Sequence, residues 1–128
     1  MRLGLWPSPG ASEFARIATG LRKARQALAG GWAPCFSFDA QGKICAPDDE
    51  GVTLFCLHDA VAIYAPDVET ILAAEDLLKI IADPSGRMTL YDWEEQPGRK
   101  QADVLAVFDR AIARATAASR KGTTWARG

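Results

Sequence analysis

The chain has 128 residues, of which 48% are hydrophobic and 24% are charged, values typical of a globular protein with a buried core. That length suits one domain. Fifteen basic and 16 acidic residues give a formal net charge of −1. This balance argues against a protein whose main work is coating nucleic acid, because such proteins usually carry a basic surplus. The apolar runs are also shorter than the roughly 18 residues that a membrane-spanning helix needs.

Cysteine usage and the start of the chain indicate a reducing compartment. The three cysteines are odd in number and sparse, unlike the framework of a disulfide-rich secreted domain. Prolines and glycines interrupt the first ten residues, which therefore do not read as a signal peptide. We expect a cytoplasmic protein with free thiols.

Hydrophobic periodicity predicts a mainly α fold, a compact bundle of about four helices, over residues 12–120. Residues 1–11 are predicted to form an N-terminal arm, and 121–128 a C-terminal tail. The first helix begins after an N-cap at Ser12 and ends at the glycines 30–31. Its predicted buried stripe is Phe14, Ile17, Leu21, Ala24 and Leu28.

The next segment predicts one small β-hairpin. Residues 36–38 alternate in polarity, 39–42 have turn chemistry, and 43–45 form the returning strand. A lone hairpin is marginally stable, so it must lie against helices. The acidic residues 48–50 are then expected to cap a second helix over 50–64, which is apolar nearly all round and is therefore predicted to be central.

Two further helices complete the predicted bundle. The third covers about 66–82 and starts with Pro66 at its first position. The fourth covers about 101–119, with basic residues toward its end, as the helix dipole favours. Residues 88–93 are ambiguous between a strand and a helical turn. The predicted buried stripes are Val68, Ile71, Ala74, Leu78 and Ile81 in the third helix, and Leu105, Phe108, Ile112 and Ala115 in the fourth.

The sequence contains none of the common catalytic or nucleotide-binding motifs. His58 is the only histidine, so a nucleophile at either of the first two cysteines would have to meet it across the fold. The cysteine spacing does not suit zinc, and we expect neither a metal nor an organic cofactor. An enzyme that uses His58, or the acids Asp92, Glu94 and Glu95, is kept as an alternative, because paired carboxylates can do acid–base work.

Two sets of polar residues have simple structural explanations. Asp59 lies in the otherwise apolar second helix, and Arg99 is predicted to pair with it, because a buried carboxylate needs a partner. Arg16 and Lys23 share one face of the basic first helix. They are candidate interaction residues for phosphate or for an acidic partner, although a solvated helix face is the simpler explanation. Weak nucleic-acid binding through this helix is a second alternative.

Trp6 and Trp125 lie in the predicted terminal arms and are the other candidate interaction residues. Exposed aromatic side chains favour interfaces. Packing of both indoles on their own domain is the competing interpretation. Together with the balanced charge, these features favour a non-enzymatic protein that binds an unidentified protein partner or a second copy of itself, with no role at a membrane.

Five blocks, in chain order, resemble a known family. They are the Gly-Trp pair at 31–32, the turn at 39–42, the helix at 56–61, the Trp-x-x-x-Pro-Gly-Arg stretch at 93–100, and the helix at 104–111. The family consists of small bacterial and phage proteins catalogued only as a domain of unknown function. The resemblance covers most of this chain.

The resemblance has two departures. Glu94-Glu95 stand where the family has Asn-Asp, and Asp59 stands where it has glycine. The resemblance implies the same fold and brings no known activity. With the residue-level observations, it leads us to expect a small protein-binding accessory factor of bacterial or phage type, an inhibitor or modulator of a host system.

Overall fold

A computed structural model describes residues 10–121. Over that range, five helices and a two-stranded antiparallel sheet surround one apolar core. The predicted class, a mainly helical bundle with one small hairpin, is confirmed. None of the helices in the described range combines the length and apolar character that crossing a bilayer requires. The elements are α1 (Ala11–Gly30), β1 (Phe38–Asp39), β2 (Val52–Leu54), α2 (Leu57–Tyr64), α3 (Val68–Ala82), α4 (Leu90–Glu94) and α5 (Gln101–Lys121).

The two long helices, α1 and α5, pack against each other in antiparallel orientation. Arg22 near the middle of α1 donates to Thr116 Oγ1 at 2.7 Å, and Arg25 pairs with Asp109, one to two turns earlier in α5, at 2.8 Å. Every residue of the predicted α1 stripe is buried, so that prediction is confirmed. Because α1 also contacts α2, α3 and β2, it holds the central place that was predicted for the second helix.

The predicted end of α1 is confirmed, but its predicted start is two residues too late. The helix begins at Ala11, because the Phe14 amide already donates to the Gly10 carbonyl at 3.0 Å. Ser12 therefore lies inside the first turn instead of capping it, whereas Gly31 follows the last turn as expected. Most of the predicted arm and tail lies outside the described residues, so the proposed division of the chain stays a prediction.

The hairpin has a different second strand from the predicted one. β1 pairs with β2, with Phe38 opposite Leu54 and Asp39 opposite Val52. The predicted return at 43–45 contributes only an isolated bridge between Ile44 and Phe38. Residues 52–54 were assigned to the second helix, but valine and threonine suit an extended strand.

The second helix is correspondingly shorter than predicted. α2 starts at Leu57, and the Sγ atom of Cys56 accepts from the Asp59 amide at 3.4 Å as its cap. The acidic residues 48–50 precede β2 and do not cap a helix. The predicted capping role is wrong, because residues 52–54 form β2 between these acids and the start of α2.

The sequence predicts some of the buried positions of α3 and α5 wrongly. Val68 is 68% exposed, whereas the unpredicted Leu77 is fully buried. In α5, Leu105 and Ile112 are only partly buried, and the deepest positions are Val104, Phe108, Ala111 and Ala115. Neighbouring apolar residues allow two overlapping stripes in each helix, and periodicity alone does not choose between them.

Candidate functional site

The carboxylate of Glu94, in the last turn of α4, is the most heavily hydrogen-bonded buried polar group described. Its side chain is fully buried. Oε2 accepts from the Trp32 indole N–H at 2.9 Å and from the Leu57 amide at 2.7 Å, and Oε1 accepts from the Cys35 amide at 3.4 Å. A buried carboxylate needs such donors, and the N-terminus of α2 adds a favourable dipole.

These contacts make Glu94 a clamp between distant parts of the chain. Trp32 and Cys35 belong to the loop after α1, and Leu57 is the first residue of α2. One carboxylate therefore fixes both ends of the 32–56 segment to α4. A group that accepts three N–H donors out of contact with water is suited to holding structure.

Two of the three acids of the catalytic alternative, Glu94 and Glu95, approach the same residue, since each accepts a hydrogen bond from Cys35. Glu94 turns inward, whereas Asp92 and Glu95 are exposed. The Asp92 amide donates to the Thr89 hydroxyl in the α4 cap, at 3.0 Å. General acid–base catalysis needs a carboxyl group that can reach a substrate, whereas Glu94 is fully buried and already accepts three N–H donors.

Cys35 has a left-handed backbone conformation and a thiol with a raised pKa. Its φ of 74° lies in the left-handed region, which residues other than glycine rarely adopt. Its thiol donates to Glu95 Oε1 at 2.7 Å. That hydrogen bond, and secondarily burial, raises the pKa of Cys35 to about 11. The thiol is therefore protonated at neutral pH, whereas a nucleophile needs the thiolate.

The other two cysteines are also free thiols. Burial is the main reason that the pKa of Cys56 is raised to about 12, and burial also raises the pKa of Cys45. Neither environment lowers a thiol pKa, as a catalytic cysteine would require.

His58 joins three helices. Its Nδ1 lies 2.6 Å from Glu75 Oε2 on α3, and its ring stacks on Tyr91 of α4 with ring centroids 3.6 Å apart. Its Nε2 is buried and has no hydrogen-bond partner among the described residues. The structure thus places His58 with Glu75 and Tyr91, and no described hydrogen bond joins it to a cysteine.

The structure does not bring Asp59 and Arg99 together as the predicted pair. Asp59 Oδ2 accepts from the buried hydroxyl of Ser37 at 2.7 Å. Arg99 stacks over the Trp93 ring at 3.9 Å, and its Nε donates to the Trp93 carbonyl at 2.9 Å. The Pro-Gly turn between Trp93 and Arg99 folds the arginine back locally, and the loop after α1 supplies the partner for Asp59.

The basic residues of α1 divide into two groups. Arg16 and Lys23 are exposed, as expected of candidate interaction residues. Arg22 and Arg25 instead contact α5 through Thr116 and Asp109. The remaining candidates, the tryptophans at positions 6 and 125, lie outside the described residues.

Large exposed apolar side chains occur in only one part of the described chain. Within residues 10–121, the seven large exposed hydrophobic residues all lie between positions 36 and 91, and none lies in α1 or α5. Val68, Leu72 and Ile80 lie on the outward arc of α3, and Tyr91 covers His58. The full set is Phe36, Ile44, Tyr64, Val68, Leu72, Ile80 and Tyr91.

The same part of the chain is strongly acidic. Residues 32–95 contain 13 acidic and three basic residues, a net charge of −10. The stretches 10–31 and 96–121, which include α1 and α5, contain three acidic and ten basic residues, a net charge of +7. The overall charge of −1 conceals this division, which a running count of charge along the sequence would have revealed.

Residues that carry the sequence resemblance meet around Glu94. Trp32 donates to it, Trp93 precedes it, and Cys56 leads into the α2 amide that binds it. Gly31 has a steric reason to be glycine, because a Cβ there would lie 2.4 Å from the Thr53 carbonyl oxygen of β2. The blocks at 31–32, 56–61 and 93–100 therefore meet around Glu94.

Comparison with known proteins identifies a family for the chain and leaves its activity open. No curated protein and no solved structure matches the chain. A family model described as "Family of unknown function (DUF6197)" matches residues 15–114, which run from the first turns of α1 into the second half of α5. The chain belongs to this family of unknown function, DUF6197.

Proposed function

We propose that this protein is a small non-enzymatic accessory factor, of bacterial or phage type, which binds another protein and so inhibits or modulates a host system. One observation carries the proposal: all the large exposed hydrophobic residues of the described chain lie between positions 36 and 91. Three of them, Val68, Leu72 and Ile80, lie along one arc of α3, and exposed apolar residues that cluster in this way mark protein contacts. The free thiols suit the cytoplasm as the place of action.

The outward arc of α3 is the proposed contact surface. Val68 is 68% exposed, Leu72 41% and Ile80 48%. The opposite face of α3 is in the core, so the helix is held rigidly while this arc faces outward. A rigid helix that presents apolar anchors is a common way to bind a partner helix or groove.

The polar residues of the site support binding over catalysis. The Glu94 carboxylate is occupied by three N–H donors, and its neighbour Glu95 accepts from the Cys35 thiol. The pKa of that thiol is raised to about 11 by its hydrogen bond to Glu95, which removes the thiolate at neutral pH. Glu94, Glu95 and Cys35 are thus engaged in contacts within the fold.

Affinity capture from a lysate of the source organism tests the proposal. We expect a protein that the wild-type chain retains and that a Val68→Ser/Leu72→Ser variant loses. Ile44→Ser is the matched control, because Ile44 is 62% exposed but lies outside α3. Circular dichroism should show that all variants fold alike. Retention of the same proteins by the α3 variant would contradict the proposed surface.

The same assay separates the terminal tryptophans from α3. If a full-length Trp6→Ala/Trp125→Ala variant loses the partner while the α3 variant keeps it, the arms make the contact. Light scattering on each variant tests self-association, because a dimer held through α3 would become a monomer when Val68 and Leu72 are replaced.

A further inference from the structure

We infer that the outward arc of α3 takes a basic amphipathic segment, with apolar side chains on one face and lysine or arginine beside them. This inference rests on the proposed function, since it names the chemistry of the partner at the same surface. It is drawn from the charges within and around the arc.

Acidic residues are interleaved with the apolar ones on α3. Positions 68, 72, 76 and 80 are one turn apart, so Val68, Leu72, Asp76 and Ile80 follow each other along about 120° of the helix surface. Glu69 and Asp76 are both exposed within this arc, and Lys79 is its single basic residue.

The start of the helix adds to the negative charge. Asp67, the N-cap of α3, accepts from the Thr70 amide at 2.7 Å. That backbone hydrogen bond is the main reason that the pKa of Asp67 is lowered, with a smaller contribution from Arg16. Asp67 is therefore ionised at neutral pH. The arc itself carries the carboxylates of Glu69 and Asp76 against one ammonium group, and the Asp67 carboxylate lies beside its start, where Arg16 is close enough to lower its pKa.

The rest of the described surface makes this arc distinctive. α1 and α5 expose no large hydrophobic residue, and the stretches that contain them have a net charge of +7. A basic amphipathic segment would be repelled there and would find no large apolar side chain to contact. On the acidic side, charge guides its approach and the apolar residues hold it, which is how complementary interfaces select partners.

A pair of synthetic peptides tests this chemistry directly. One is a labelled 14-residue amphipathic helix of leucine and lysine, and the other has glutamate in place of lysine. Fluorescence anisotropy with the full chain should show binding of the lysine peptide about tenfold or more tighter than that of the glutamate peptide at about 50 mM salt, with the difference shrinking as salt screens the charges. Equal binding of the two peptides would overturn the inference.

Two charge-reversed variants locate the binding site. Glu69→Lys/Asp76→Lys should weaken the lysine peptide about tenfold, because both contacts change from attraction to repulsion. Asp48→Lys/Glu50→Lys makes the same change in net charge at exposed residues outside α3 and should weaken it much less. Equal weakening by the two variants would show a response to net charge alone and would contradict the α3 site. Unchanged melting temperatures confirm that the variants are folded.

The two proposals fail in different ways. If lysate capture depends on Val68 and Leu72 but the peptides bind equally, the protein-binding function stands and the basic partner is wrong. If capture does not depend on Val68 and Leu72, and peptide binding does not depend on Glu69 and Asp76, both proposals are wrong.

Discussion

The α1–α5 pair and the 32–56 segment are stabilised in different ways. The two long helices bury matching apolar stripes, and their polar contacts, such as Arg25–Asp109, lie at the surface where an ion pair contributes little. The 32–56 segment has two short strands and depends on buried polar contacts to Glu94 and Asp59. The helix pair is held mainly by buried apolar area. The 32–56 segment adds these hydrogen bonds to the apolar contacts that Trp32 and Phe55 make with the core.

The two regions also present different surfaces. The helix pair is basic and exposes no large hydrophobic residue, whereas the acidic part between positions 32 and 95 carries all the large exposed hydrophobic residues described. The comparison separates a supporting framework from the side proposed to bind. Variants of either region should therefore have effects of different size and extent.

The largest expected effect is in the framework. Phe108→Ala removes a fully buried ring from the face of α5 that packs in the core, and it should lower the free energy of unfolding by about 3–5 kcal/mol. Urea denaturation measures this loss. An unchanged midpoint would show that α5 does not pack as described.

The clamp should come second. Glu94→Ala leaves the Trp32, Cys35 and Leu57 N–H donors without their acceptor and should cost about 2–4 kcal/mol. Glu94→Gln keeps one acceptor oxygen and should cost less. Equal stability of the alanine variant and the wild type in urea would show that the clamp is dispensable.

A smaller and more local effect is expected at Cys35. Glu95→Gln removes the carboxylate that raises the pKa of the thiol to about 11, so that pKa should fall and alkylation at pH 8 should accelerate. Each unit of decrease raises the thiolate fraction about tenfold. Asp92→Asn is the control, because it removes the same charge elsewhere on α4. The measurement needs a Cys45→Ser background, because Cys45 is the other thiol within reach of the reagent. Cys56 can stay, because it is buried. A rate that does not change would contradict the Cys35–Glu95 hydrogen bond.

The smallest effect concerns pH and the α3 cap. The pKa of Asp67 is lowered in the folded state, mainly by the Thr70 amide, so its contribution to stability is present above the unfolded value of about 3.9 and is lost as pH falls through the folded value. Asp67→Asn keeps a capping oxygen that does not ionise. Between pH 5 and pH 3, the wild type should therefore lose slightly more stability than this variant. Equal losses in urea titrations would contradict the pKa shift.

The framework could be predicted from the sequence because apolar periodicity reports directly on helix burial. The α1 stripe, its glycine stop and the start of α5 at Gln101 follow from local pattern. The exposed position of Val68 could not be predicted in this way, because adjacent apolar residues fit two overlapping stripes and tertiary contacts choose between them.

The clamp could not be predicted, because it depends on long-range contacts. Trp32 and Glu94 are 62 positions apart, and nothing local distinguishes Glu94 from its exposed neighbour Glu95. The β2 strand was missed for a similar reason, since its partner is fixed by tertiary packing. The excess of acidic residues in 32–95 can be counted in the sequence, but the overall net charge of −1 hides it.

Amide hydrogen exchange on the wild type and Glu94→Ala tests the central claim, that one carboxylate holds the 32–56 segment and the start of α2 to α4. The account predicts much faster exchange at Cys35, at Leu57 and through residues 32–56, with little change at the buried centres of α1 and α5. Unchanged exchange in 32–56, or an equal increase throughout α1 and α5, would contradict it.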